Sequence, residues 1–453
     1  MIFSSITFLY FFFPVVGLCY HLTPARFKNV LLLVASLLFY ILGSPKGLPY
    51  LLIVLLTGYF GGLMIQILAK KKILRRILFV FLVLLCIALL FFFKYFEPDS
   101  LPVGISFYTF QAVGYLADIY LGRENAEKNP IVFFTFITFF PQLIAGPIVR
   151  YQDISAELHN NRKVSLNDVT GGLKRFLLGL FKKVLVADQL AAAISFWGTP
   201  STVTLAWMAA IAYTLQIYYD FSAYSDMAIG MGKFFGFHLP ENFNYPYISK
   251  SITEFWRRWH ITLGSWFRDY VYIPLGGSRK GTLRTCSNLL IVFALTGLWH
   301  GIGWQFLTWG LFYGILLVLE KSFLLKWMEQ MPRGFHWIKH AYVMFMVILG
   351  FVIFSAPSLP TARATLCSMF GLGGLPLWNR DTIFYLKDIL FAAGFFILFS
   401  TPVFPMLKEQ IDKRPKLAKY AAAAGILIYP LILLLCTAWI IVETPQPFLY
   451  FQF

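Results

Sequence analysis

Charged residues are scarce in this sequence. They make up 13% of the 453 residues, whereas apolar residues make up 58%, and the mean hydropathy is +0.69. Soluble domains contain roughly 25% charged residues, so the composition excludes a soluble globular protein. Apolar stretches close to the roughly 20 residues that cross a bilayer recur along the whole chain. We therefore predict an all-α polytopic membrane protein that forms one integral-membrane domain over residues 1–453.

Cysteine is also rare, and several catalytic signatures are missing. Five widely spaced cysteines give neither a disulfide framework nor the spacing of metal ligands, so we interpret them as core packing and expect no metal site. The sequence has no P-loop, no GxGxxG after a strand, no HExxH and no GxSxG elbow. These absences argue against hydrolysis by an activated serine or by a metal-bound water.

The positive charge lies mostly between the apolar stretches. The formal net charge is +17, and cytoplasmic loops of membrane proteins carry such an excess, so no nucleic-acid partner is implied. Basic and non-basic loops alternate over residues 26–99, which places the N-terminus outside the cytoplasm. Residues 1–20 lack a basic leader and a cleavage site, so we expect a retained first span. Basic loops also attract phosphorylated cofactors and anionic lipids.

Two neighbouring segments, 102–121 and 131–149, do not fit this alternation, because the basic stretch that follows them must also be cytoplasmic. One of the two should therefore fail to span. Both are rich in proline, glycine and polar residues, which suits a re-entrant or broken helix that lines a cavity. A proline-kinked helix that only packs is equally compatible. We expect eleven or twelve transmembrane helices in total, with several more helices in the interface.

His300 lies inside a long apolar run, residues 288–309. An ionisable group at membrane depth is a functional hypothesis by default, and burial favours the neutral imidazole that a general base requires. A buried histidine with a purely structural role is the alternative. The neighbouring Gly297, Gly301 and Gly303 leave room for a slender substrate beside the ring, or they allow helices to pack closely.

A second histidine, His260, falls in a segment that we predict to be one amphipathic interfacial helix over residues 253–271. At 100° per residue, His260 lies on the apolar face with Leu263 and the tryptophans, and the arginines and Asp269 lie opposite. Arg257 and Arg258 can pair with Glu254 at helical spacing. A core histidine held by a hydrogen bond and a functional histidine are both compatible with this position.

A third polar group lies at residues 218–230. It contains two carboxylates and several hydroxyls in an apolar setting, where polar groups need partners. They either bind an acceptor or form a structural hydrogen-bonded network, and the structural network is the more frequent case.

Together these segments resemble a known family. The sequences PQLIAGP at 141–147, DFSAYSDMAIG at 220–230, WRRWHITLGSWFRDYVYIPLGGS at 256–278, LWHG at 298–301 and FLYFQF at 448–453 closely resemble the membrane-bound O-acyltransferase family, in its branch that acetylates bacterial polysaccharides. The resemblance implies a ring of membrane helices around a thinned centre, with a donor tunnel from the cytoplasm and an acceptor funnel from outside. It also implies that His300 is the catalytic histidine and that His260 is the second histidine of this branch.

The same resemblance implies the substrates and partners. It implies that the donor is cytosolic acetyl-CoA, that no cofactor is permanently bound, and that the protein lies in the bacterial cytoplasmic (inner) membrane among its lipids. It also implies that the acetyl group passes to a cell-surface polysaccharide through a separate extracytoplasmic partner that resembles SGNH esterases. We expect the donor phosphates to be held by Lys250, Arg257, Arg258, Arg268, Arg279 and Lys280. We expect the acceptor path to involve Trp299, Trp304, Asp220, Ser222, Tyr224 and Asp226.

A transporter or flippase for a polysaccharide or lipid precursor is the main alternative, since broken helices also serve as gates. The lack of inverted repeats in the sequence counts against it. A structural subunit without chemistry of its own is a third possibility, for which loss of the His300 side chain would have no effect.

Overall fold

The computed structural model describes residues 2–443 and 448–449. All regular secondary structure within these residues is helical, which confirms the all-α prediction. Of the C-terminal motif at 448–453, residues 450–453 lie outside the described residues.

Eight helical segments in the described part of the chain are long enough and apolar enough to cross a bilayer. The chain is therefore a multi-pass membrane protein, although eight is fewer than the eleven or twelve expected. A further apolar helix, Phe8–Leu22, is shorter. The eight segments are Ala25–Gly43, Pro45–Lys70, Lys72–Phe96, Thr282–His300, Trp304–Glu329, Arg333–Ser355, Arg380–Phe399 and Pro415–Val442.

The chain divides into two compact units, each built from separate stretches of sequence. The first contains residues 2–180 and 223–241 and the described C-terminal residues from 437 onward. Its helices are α1 (Phe13–Leu22), α2 (Lys28–Gly43), α3 (Leu48–Ile67), α4 (Lys72–Phe96), α5 (Ile105–Tyr120), α6 (Pro130–Thr138), α7 (Phe140–Leu143), α8 (Tyr151–His159) and nearly all of α9 (Leu166–Lys182).

Helix α5 is the centre of the first unit. Every residue from Ile105 to Ile119 is buried, and the helix packs against α3 and α4. Small residues on α3 permit this approach, since a Cβ atom on Gly62 would lie 2.8 Å from the Tyr115 ring. An apolar helix of 16 residues that protein surrounds on all sides carries polar groups more readily than one that faces lipid.

The segment 131–149 is broken, as expected for one of the two irregular segments. Helix α6 ends at Thr138, Phe139 adopts a non-helical conformation, and α7 lasts for four residues. The broken backbone packs against the start of α5, because a Cβ atom on Gly104 would lie 2.3 Å from the carbonyl oxygen of Leu143. This contact supports the interpretation that the broken segment packs against protein.

The second unit contains residues 181–222 and 242–436. Its helices are α10 (Asp188–Trp197), the first part of α11 (Val203–Phe234), α12 (Ile252–Arg258), α13 (Ile261–Phe267), α14 (Thr282–His300), α15 (Trp304–Leu319), α16 (Leu325–Glu329), α17 (His336–Ser355), α18 (Leu359–Met369), α19 (Arg380–Phe399), α20 (Val403–Asp412) and most of α21 (Pro415–Val442).

The prediction of one continuous helix over 253–271 is wrong. Helix α12 ends at Arg258, Trp259 is extended, and His260 adopts the left-handed conformation with φ 46° before α13 begins. The burial pattern could not reveal this break, because Trp259, His260 and Leu263 are all buried as predicted. Asp269, expected on the polar face, is also buried and pairs with Arg268.

Candidate active site

His300 is the last residue of α14 and lies at the tip of a helical hairpin formed with α15. The sequence suggested an apolar run that continues past this residue, but the run turns back through residues 301–303. The side chain is nevertheless buried, with 3% of its surface exposed. Aromatic rings enclose it, with centroids 4.4 Å away for Trp299 and 5.0 Å away for both Trp309 and Phe354.

The glycines near His300 serve helix packing. A Cβ atom on Gly297 would lie 2.4 Å from the carbonyl oxygen of Phe306, and one on Gly301 would lie 2.4 Å from the Phe306 ring. On the other helix, a Cβ atom on Gly310 would lie 2.3 Å from the carbonyl oxygen of Phe293. Small residues of this kind allow close approach of membrane helices. Of the two interpretations left open by the sequence, the structure supports packing over space for a substrate.

His260 is held in the break between α12 and α13. It is 2% exposed, its Nδ1 lies 3.0 Å from Oδ1 of Asn242, and its ring stands edge-on to Phe221 at 4.6 Å. His260 is one of two non-glycine residues with positive φ in the described residues. Such a conformation persists where the surroundings determine it, and it is frequent at functional sites.

Burial lowers the pKa of His260 to about 3 from its usual 6.5, and the residue lies outside the eight apolar segments. The folded protein therefore keeps this ring neutral at a pH where the unfolded chain protonates it. The stability that neutral His260 contributes is complete above pH 6.5 and is lost as the pH falls from 6.5 toward 3.

We expect His260→Asn to flatten this pH dependence. Asparagine tolerates the left-handed conformation and does not titrate, so the slope of the free energy of unfolding between pH 6.5 and pH 4.5 should fall by up to about 1.4 kcal/mol per pH unit. Thermal unfolding in detergent across this range measures the effect. His238→Asn, at a 73% exposed position, is the control, and an unchanged slope in His260→Asn would contradict the assignment.

A cavity of about 770 Å³ lies beside His260. Its walls are largely apolar, and Arg257, Arg268 and Lys321, all exposed, also line it. Thr296, one helical turn before His300, belongs to the lining. His300 itself does not belong to the lining formed by the described residues. Trp309 connects His300 to the wall of the cavity, since its ring lies 5.0 Å from the His300 ring and 5.7 Å from that of the cavity residue Trp256.

The six basic residues expected to hold donor phosphates occupy different places. Arg257 and Arg268 line the cavity. Arg258 pairs with Glu254 at 2.9 Å, as predicted. Lys250, Arg279 and Lys280 are exposed and do not belong to the lining of the cavity in the described residues.

Sequence reasoning missed two charged residues at the cavity, Lys321 and Glu320. Lys321 lines it. Glu320 is fully buried and accepts hydrogen bonds from the backbone nitrogens of Ile252 at 2.6 Å and Thr253 at 2.8 Å, so it caps the start of α12. A carboxylate inside an apolar run was the available signal, because such a group requires partners.

Asp220, one of the expected acceptor residues on α11, has structural partners. Asp220 is 2% exposed, and its carboxylate lies 2.8 Å from Nζ of Lys183, which also pairs with Asp188 at 2.7 Å. Ser222, two residues further along the chain, is also buried. This buried ion triad supports the structural-network interpretation that the sequence already favoured.

The remaining acceptor candidates differ in exposure. In the first unit, Asp226 pairs with Arg175 at 2.9 Å, and Tyr224 is buried with its ring 5.5 Å from Phe3. In the second unit, Trp299 is buried against His300, whereas Trp304 is 72% exposed. Trp299 therefore adjoins the candidate catalytic ring directly.

Comparison with known proteins places these features in a family context. Residues 123–359 match the model of the MBOAT, membrane-bound O-acyltransferase family. The chain is 38% identical to the probable alginate O-acetylase AlgI of Pseudomonas putida, with 100% of each chain covered. It is 37% identical to the peptidoglycan O-acetyltransferase of Helicobacter pylori, over 83% of this chain and 81% of the relative. It is 32% identical to the teichoic acid D-alanyltransferase of Streptococcus thermophilus, over 49% of this chain and 58% of the relative.

Proposed function

The chain belongs to the membrane-bound O-acyltransferase family, and on that basis we propose that it moves an acetyl group from cytosolic acetyl-CoA to an extracytoplasmic acceptor, for O-acetylation of a cell-surface polysaccharide. The relatives named for alginate and for peptidoglycan acetylation support a polymer of sugars as the final acceptor. The observation that carries the proposal is the enclosed His300 in contact with Trp309, whose ring also contacts Trp256 in the wall of a cavity with a basic border.

The cavity suits a coenzyme A thioester in size and charge. Its volume of about 770 Å³ falls within the range of roughly 300–1,000 Å³ that small-molecule sites occupy. Arg257, Arg268 and Lys321 supply positive charge for the phosphates, and arginine forms two parallel hydrogen bonds with a phosphate group. The apolar walls suit the pantetheine arm. The donor enters from the cytoplasmic side, where basic loops predominate.

In the proposed mechanism, His300 is the general base. Its neutral imidazole takes the proton of an acceptor hydroxyl while that oxygen bonds to the thioester carbonyl carbon. The carbon–sulfur bond then breaks, and the departing thiolate receives the proton from the imidazolium. Because His300 does not belong to the described lining of the cavity, side chains must move for the thioester to reach the histidine. Trp309, which contacts both His300 and the cavity residue Trp256, is the first candidate for this movement.

The proposal extends to location and partners. The protein lies in the bacterial cytoplasmic membrane with its N-terminus outside, and a separate extracytoplasmic protein that resembles SGNH esterases receives the acetyl group. In the described residues no group of three or more histidine, cysteine, aspartate or glutamate side chains could hold a metal ion. The imidazole-based mechanism uses none.

The test is thioester turnover by the purified full-length protein in nanodiscs. With radiolabelled acetyl-CoA and a soluble sugar acceptor, we expect release of the coenzyme A thiol together with labelled ester. Palmitoyl-CoA serves as the comparison donor and should be a poor substrate. Transport of a labelled precursor across proteoliposomes without any thiol release would favour the transporter alternative and reject the proposal.

A further inference from the structure

Three hydrogen-bond donors converge on one atom of Asn242. The residue is fully buried, and its Oδ1 lies 3.0 Å from Nδ1 of His260, 3.0 Å from Oγ1 of Thr262 and 3.3 Å from the backbone nitrogen of Thr262. A backbone N–H can only donate, so the amide atom that faces Thr262 must be the oxygen. The orientation of the Asn242 side chain is thereby fixed.

The orientation of Asn242 determines which nitrogen of His260 carries the proton. An amide oxygen only accepts, so Nδ1 of His260 must donate to it. In the neutral ring, the other nitrogen then carries the lone pair. We propose that Asn242 is a positioning residue that holds His260 as the neutral Nδ1–H tautomer, so that Nε2 accepts a hydrogen bond from the molecule in the cavity.

The backbone around the break supports this role. The carbonyl of Asn242 accepts from the nitrogen of Ile261 at 2.9 Å, and the nitrogen of Asn244 donates to the carbonyl of Arg258 at 3.0 Å. These two bonds clamp the chain on both sides of His260, which has the left-handed conformation that residues other than glycine seldom adopt. Residues 242–244 therefore hold both the backbone and the ring of His260 beside the cavity that it lines.

The tautomer limits what His260 can do in the reaction, and this part of the inference rests on the proposed function. A lone pair at Nε2 accepts a hydrogen bond but cannot donate one to a developing oxyanion. His260 therefore orients a ligand through its N–H or O–H group, such as an amide of the pantetheine arm or an acceptor hydroxyl. A histidine at this place could position a ligand or stabilise developing charge, and the geometry favours positioning.

Nitrogen NMR of the full-length protein, labelled with ¹⁵N-histidine in detergent at pH 8, tests the tautomer without any substrate. His260→Asn assigns the signal. We expect the wild-type ring to be protonated at Nδ1 and Asn242→Ala to shift it toward the Nε2–H form. Asn242→Asp should keep the Nδ1–H form, because a carboxylate accepts the same bonds. Asn244→Ala removes an exposed amide from the same loop but keeps the backbone N–H that bonds to Arg258, so it should leave the tautomer unchanged.

The NMR and turnover results each have an outcome that would overturn the proposal. A wild-type ring protonated at Nε2, an Asn242→Ala ring that keeps Nδ1–H, or an Asn242→Asp ring that loses it would overturn the inference. Turnover of acetyl-CoA should fall about tenfold in Asn242→Ala and stay within twofold in Asn244→Ala. A change of tautomer with wild-type turnover would overturn the positioning role. If the protein lacks acetyltransferase activity altogether, the proposed function fails while the NMR result stands.

Discussion

His300→Ala should reduce acetyl transfer by at least about 100-fold, since a positioned general base typically contributes about 100 to 10,000-fold to the rate. The effect should appear mainly in kcat, because the cavity that we assign to the donor is lined by other residues. Thiol release and ester formation by the purified protein, measured over a range of acetyl-CoA concentrations, separate kcat from KM.

Two further variants make this result interpretable. His300→Phe keeps an aromatic ring among Trp299, Trp309 and Phe354 but has no nitrogen, so it should be inactive while its melting temperature stays near the wild-type value. His238→Ala removes an exposed imidazole and should retain activity. Full activity in His300→Ala would remove His300 from the mechanism and favour a structural role for this ring.

Lys183→Met should destabilise the protein by about 3–5 kcal/mol, the usual result of removing one member of a buried ion pair. Lys183 is 1% exposed and pairs with Asp188 and Asp220, which are 7% and 2% exposed. Without the ammonium group, two carboxylates stay buried without their cation. Thermal or denaturant unfolding in detergent, monitored by circular dichroism, measures the loss.

The matched control is Lys163→Met, at an exposed lysine, which should change stability by less than about 0.5 kcal/mol. The triple variant with Lys183→Met, Asp188→Asn and Asp220→Asn removes all the buried charge and should recover much of the lost stability. If Lys183→Met is as stable as the wild type, the triad does not stabilise the fold. If the triple variant is stable but inactive, at least one of these three side chains is needed for activity, and Asp220, which we placed on the acceptor path, is then tested alone as Asp220→Asn.

Burial was easier to predict than backbone geometry. The apolar periodicity correctly placed His260 inside, with Trp259 and Leu263, because the hydrophobic effect acts on each side chain according to its face. The same periodicity continues through α12 and α13, so it could not indicate that His260 turns left-handed between them. That break is held by backbone hydrogen bonds between residues 242–244 and residues 258–261. These two stretches meet only when the chain folds.

The scarcity of charge and the recurrent apolar runs were sufficient to determine an all-helical membrane protein, because unpaired backbone groups are too costly in lipid for most other structures. The family motifs could likewise be recognised from the amino-acid sequence. Tertiary structure alone decided that His300 closes a hairpin, that Trp309 contacts both His300 and the cavity residue Trp256, and that Lys183 neutralises Asp220. Those relationships depend on how the helices pack, and local propensities carry no information about which groups meet across packed helices.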